Sequence, residues 1–195
     1  MFQIIFAFAI WSLVHSFLAS FAVKDFARRT FGAGFMRLYR LAYNIFSVVS
    51  FLPVLWLVAN LPDHNLYSVP TPWKYLMLAG QGLAALCLLV AVLQTDALHF
   101  VGLRQLFEED KSGSLVTSGF YKLVRHPIYT FSLLFLWLNP SMTVNSLTFY
   151  IGATLYFLIG AYFEEQKLLR EFGSVYAEYK AVTPMLIPGL VLGKK

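Results

Sequence analysis

Apolar residues in this chain come in long unbroken blocks. Residues 1–23 contain no Asp, Glu, Lys or Arg, and neither do Leu41–Asn60 or Tyr75–Thr95. Pro127–Asn139 and Val144–Phe163 are two further blocks, parted only by Pro140-Ser-Met-Thr143. A helix needs roughly 20 apolar residues to cross a bilayer. The pattern predicts an all-α integral membrane protein with five transmembrane helices, the fourth short and tilted or partly embedded. The first block lacks a basic leader and a small-residue cleavage site, so it reads as a retained span. A polar stretch follows the last block. In Glu165–Lys180 the residues Leu168, Leu169, Phe172, Val175, Tyr176 and Tyr179 recur at helical spacing, which predicts a C-terminal helix continuing into water. Pro184 and Pro188 end it.

Composition agrees. The chain is 58% hydrophobic and 13% charged, with 19 Phe in 195 residues, more apolar surface than a soluble domain of this size can bury. Chain order suggests one membrane domain over 1–195: three N-terminal spans in 1–95, then a loop, a two-helix hairpin and a tail in 96–195 as the catalytic part. Of the 15 Lys and Arg, only Lys74 falls in the loops after the second and fourth spans. The other 14 share one side, so the positive-inside rule predicts an outer N-terminus and a cytoplasmic C-terminus in a bacterial inner membrane. The net charge of +5 then faces anionic headgroups, and no nucleic-acid module is expected. Cys87 is alone, which excludes an intrachain disulfide. Asp96 and His99 are too few for a metal site.

Two polar constellations remain. In Arg125-His126-Pro127, proline suits the first turn of a helix, and the amides and dipole there favour an anion. Glu164-Glu165 lies at the exit of the last span, where carboxylates face a cavity or a partner. Tyr121 and Tyr129 flank the His-Pro turn, and aromatic faces attract cations. His15, midway along the first span, reads either as a helix–helix hydrogen-bonder or as a functional group.

These residues resemble a family. Leu115-Val-Thr-Ser-Gly-Phe-Tyr121, Arg125-His-Pro-Ile-Tyr129, Glu164-Glu165 and the tail Phe172-Gly-x-x-Tyr176-x-x-Tyr179 are similar to the isoprenylcysteine carboxyl methyltransferase superfamily of membrane enzymes. Trp11-x-x-x-His15-Ser16, Arg40-Leu-x-Tyr43-Asn44 and Phe100-Val-Gly-Leu-Arg-Gln105 look like its methanethiol S-methyltransferase and NnrU-like branch. The resemblance implies S-adenosyl-L-methionine as cofactor. It implies contacts from Gln105, Gly113, Ser114, Leu115, Val116, Tyr121, His126, Pro127, Ile128, Tyr129 and Glu164, with Glu165 and Arg125 in support. The prenylcysteine enzymes carry an Arg one turn before the cofactor-binding Glu; here that position is Gly160. A small or lipophilic thiol is therefore the favoured acceptor, with a prenylcysteine carboxylate or a lipid amine as alternatives. Arg125, His126 or Arg170 would supply the positive field that favours a thiolate. NnrU-like relatives also suggest haem on His15 and His126 as an alternative.

Overall fold

The computed structural model describes residues 1–95, 103 and 115–190. Six α-helices carry it: α1 (Phe2–Ala19), α2 (Phe21–Asn60), α3 (Trp73–Gln94), α4 (Pro127–Trp137), α5 (Val144–Phe172) and α6 (Ser174–Val182). A 3₁₀ turn at Gly119–Lys122 precedes α4, and strands β1 (Asn65–Ser68) and β2 (Ser141–Thr143) form a two-stranded ladder. Four stretches are long and apolar enough to cross a membrane: Phe2–Ala19, Gly34–Asn60, Trp73–Gln94 and Val144–Phe172. Most large apolar side chains on α1, α2 and α3 are exposed, Phe2 at 77% and Leu13 at 72% among them. Hydrocarbon, not water, suits such a surface. The fourth block forms the 11 residues of α4, about 16 Å of helix, short as its sequence suggests.

Two helices differ from the sequence reading. The second span extends back to Gly34, across Arg37 and Arg40, because nothing breaks the helix until Gly32, whose φ of 79° interrupts it. The C-terminal helix is not continuous. It stops at Phe172 and restarts at Ser174, since Gly173 takes φ 56° and ψ −127°.

The described chain forms two compact units. Met1–His64 with Thr143–Gly152 makes the first. There α1 and α2 are joined by rings, with Trp11 4.5 Å from Phe51 and Phe8 5.8 Å from Phe149 at the start of α5. Asp63 caps α5: its carboxylate accepts from the Asn145 amide (3.0 Å), while Asn145 Nδ2 donates to the Leu61 carbonyl (3.1 Å). Burial works against that charge, but hydrogen bonds from Thr143, Asn145 and His64 win and lower the Asp63 pKa.

The second unit comprises 65–95, 115–142 and 153–190. It places α3 beside α4, with Gln81 Nε2 donating to the Phe135 carbonyl (2.9 Å). At one end lies the ladder, extended by Val69 N–H to the Pro140 carbonyl (2.8 Å). At the other, the Gln94 carboxamide accepts from the Phe120 amide (2.9 Å). Gly119 permits this approach, since its φ is 61° and a Cβ there would lie 2.5 Å from Gln94.

Candidate active site

The His-Pro turn and the acidic exit of α5 meet within the second unit. Pro127 opens α4, and His126 is its N-cap residue, so the preceding chain is turned out of the helix. His126 is only 5% exposed. Its Nδ1 lies 3.5 Å from Glu164 Oε2, and its Nε2 lies 3.4 Å from Glu165 Oε1. The second approach is an ion-pair distance without hydrogen-bond alignment. The ring stacks on Tyr129 (5.4 Å, 5° between planes), and Tyr129 stacks on Phe157 (5.1 Å, 14°). Tyr129 donates its hydroxyl to Glu164 Oε2 at 2.9 Å. This gives a three-ring pile against α5 with one carboxylate fixed at its edge.

The two glutamates occupy opposite environments. The side chain of Glu165 is 5% exposed and saturated by cations. Arg125 donates Nε to its Oε1 (2.7 Å) and brings Nη2 to 2.6 Å, while Lys180 Nζ is 2.7 Å from Oε2. The Glu164 side chain is 45% exposed. On a helix, consecutive residues point about 100° apart, so one of the pair is buried and the other part-exposed. The anion expected near the N-terminus of α4 is therefore the protein's own acidic pair.

Arg125 does more than pair with Glu165. Its Nη1 donates to the carbonyls of Lys180 (3.0 Å) and Thr183. Backbone bonds extend the seam: Arg125 N–H to the Pro184 carbonyl (2.9 Å) and His126 N–H to that of Met185 (3.2 Å). Thr130 Oγ1 donates to the Leu186 carbonyl (2.8 Å), and the Tyr179 hydroxyl to that of Tyr121. The C-terminal segment is thus laced onto the His-Pro turn. Arg125 is a strut, with its guanidinium committed to Glu165 and two carbonyls.

Burial alone would lower the His126 pKa, but hydrogen bonding and charge from Glu164 and Glu165 outweigh it and raise it. Burial chiefly, with Glu164 adding, pushes the Tyr121 hydroxyl up; burial lifts Tyr179 to about 12. The two carboxylates thus favour proton uptake by the imidazole.

Of the expected residues, Tyr121, Arg125, His126, Pro127, Tyr129, Glu164 and Glu165 share this neighbourhood. Leu115, Val116 and Ile128 are half-buried beside it in the chain. Arg170 is exposed in the last turn of α5 and, among the described residues, forms no bond to the cluster. Gln105, Gly113 and Ser114 lie outside the described residues, as do Asp96 and His99. His15 belongs to the first unit: Tyr43 Oη lies 2.7 Å from its Nε2 and Ser47 Oγ 3.0 Å from its Nδ1, so both ring nitrogens serve to tie α1 to α2. Lys180, Thr183 and Thr130 went unread in the sequence; only the Lys180 charge on the helical tail offered a signal.

The chain is similar to several proteins described as methanethiol S-methyltransferase. It is 35% identical over 134 residues to methanethiol S-methyltransferase 2 of Bradyrhizobium diazoefficiens, covering 63% of this chain and 52% of that one. It is 34% identical over 203 residues to the enzyme of Crocosphaera subtropica, covering 95% and 73%. Against that of Pseudomonas deceptionensis it is 31% identical over 192 residues, covering 93% and 70%. The chain spans about half the length of the first of these relatives. No family model and no solved structure matches it. The likeness to the last two relatives covers more than nine-tenths of this chain, and on it the chain belongs to the methanethiol S-methyltransferase family.

Proposed function

We propose that this protein transfers a methyl group from S-adenosylmethionine to a small thiol at the membrane. The observation that carries this reading is the meeting of His126, Tyr129 and Glu164, one part-exposed carboxylate beside an imidazole and stacked rings. That set fits the cofactor's chemistry. Glu164 would hold its ammonium or ribose hydroxyls, and the face of Tyr121 suits a sulfonium. Leu115, Val116, Pro127 and Ile128 would line it, together with Gln105, Gly113 and Ser114 from the loop. S-adenosylmethionine, when bound, supplies an electrophilic methyl group. The protein's part is alignment, exclusion of water and a field that favours the acceptor's thiolate. His126 is placed to supply that field. Arg125 and Glu165 hold it in position.

Gly160 supports a thiol over a carboxylate acceptor. It stands one turn before Glu164, and a Cβ there would lie 3.9 Å from the Tyr129 hydroxyl. This position brings no cation to pair with an acceptor carboxylate. The relatives' names carry the same word, methanethiol.

We also read five crossings, with the N-terminus outside. The ladder supports this, because it joins the loop after α2 to the turn after α4. Thus α3 and α4 both run between the ladder and the Gln94 end, and α4 counts as a crossing. The test of function is purified protein with methyl-labelled cofactor and a panel of thiols, carboxylates and amines. Label is expected on alkyl thiols. Label on carboxylates or amines alone, or none at all, overturns the reading.

A further inference from the structure

Lys180 lies 15 residues from Glu165, on a different helix, yet its ammonium is 2.7 Å from Glu165 Oε2. Arg125 already holds Oε1. A single buried carboxylate thus carries two cations, one more than its charge requires. His126 Nε2 is 3.4 Å from the same Oε1 and makes no hydrogen bond to it. We propose that Lys180 is a positioning residue: by engaging the outer oxygen of Glu165, it limits how far that carboxylate's charge favours the protonated form of His126. This rests on the reading of His126 and Glu164 as the working pair.

The groups around His126 allow the sign to be worked out. From α5 come the anions Glu164 and Glu165. Arg125 comes from its own turn and Lys180 from α6. Tyr129 stacks on the His126 ring, and the nearby Tyr121, Tyr176 and Tyr179 hydroxyls are held in their neutral form at ordinary pH. Removing Lys180 subtracts one cation and exposes the charge of Glu165 to the nearest group able to take a proton, which is His126. Both effects favour imidazolium. The His126 midpoint should therefore rise. The part-exposed ammonium is screened by water, so the rise should be about one pH unit. A side chain that merely filled space would leave the midpoint unchanged.

The Lys180 side chain is 35% exposed, so Lys180→Gln leaves no cavity in a core. The experiment is a histidine-selective ¹³C NMR titration of full-length protein in detergent, with the His126 signal identified by its loss in His126→Gln. The midpoint should rise by about one unit in Lys180→Gln and return in Lys180→Arg. An unmoved midpoint in Lys180→Gln, or an equal rise in Lys180→Arg, overturns the proposal. Calorimetry with S-adenosylhomocysteine on the same samples separates the two readings. Absence of binding by the wild-type protein would sink the cofactor site and leave the titration result standing.

Discussion

At the scale of single residues, the instructive contrast is between Glu164 and Glu165. They are neighbours in sequence and unlike in role. The side chain of Glu165 is buried with Arg125, whose own side chain is 9% exposed. Removing one partner of a buried pair leaves the other uncompensated and costs about 3–5 kcal/mol. Glu165→Gln should therefore lower thermal stability sharply. Glu164→Gln should leave the melting temperature nearly unchanged and weaken S-adenosylhomocysteine about tenfold or more in calorimetry, since one charge-assisted contact is worth about 1.5–3 kcal/mol. If both variants unfold alike, the division of labour is wrong. His126 gives a second prediction. Its folded pKa is raised, so its charged form stabilises the fold fully below the unfolded value of 6.5, and that stability is lost as pH rises through the folded value. The melting temperature difference between wild type and His126→Gln should shrink from pH 6 towards alkaline pH. A constant difference would show that the imidazolium contributes nothing.

At the scale of elements, the helices were legible and their fastenings were not. Uncharged blocks announce spans because hydrocarbon admits no unpaired charge. Pro127 announced the start of α4, and the short fourth block became a short helix. The lacing of 180–186 onto the His-Pro turn left no comparable trace. Its acceptors are main-chain carbonyls of Lys180, Thr183, Pro184, Met185 and Leu186, and every residue type offers one. The same holds for Asp63 capping α5 from across the chain, and for Gln94 holding the turn before α4. Gly173, with its positive φ, breaks the C-terminal helix. These fastenings can be tested. Gly119→Ala should destabilise the second unit, because a Cβ meets Gln94 at 2.5 Å on a backbone with φ 61°. Gln94→Ala, which loses the bond to the Phe120 amide but keeps the glycine, should cost less. Equal losses in the two variants would show that the backbone strain is unimportant. Asp63→Ala should cost about 1 kcal/mol at neutral pH, the usual worth of a cap. Its lowered pKa means that this contribution is present above the unfolded carboxylate value and fades as pH falls through the folded one.

At the scale of the whole molecule, the question is how many times the chain crosses. Four helices satisfy the length requirement, and α4 at about 16 Å falls short of a ~30 Å hydrocarbon core. Length alone would make α4 a re-entrant segment and place both termini on one side. The ladder argues otherwise, because β1 follows α2, β2 follows α4, and hydrogen bonds hold the two strands together at one end of the second unit. A re-entrant α4 would return its far end to the side it left, away from β1. The basic residues agree, since 14 of 15 segregate only when α4 is counted. Single cysteines in a Cys87→Ser background decide the matter. Leu66→Cys in β1 and Ser141→Cys in β2 should both react with a membrane-impermeant maleimide in intact cells. Glu178→Cys on α6 should react only after lysis. If Ser141→Cys and Glu178→Cys share one behaviour and Leu66→Cys the other, α4 does not cross. The ladder would then have to be abandoned with it, because one strand pair cannot straddle a bilayer.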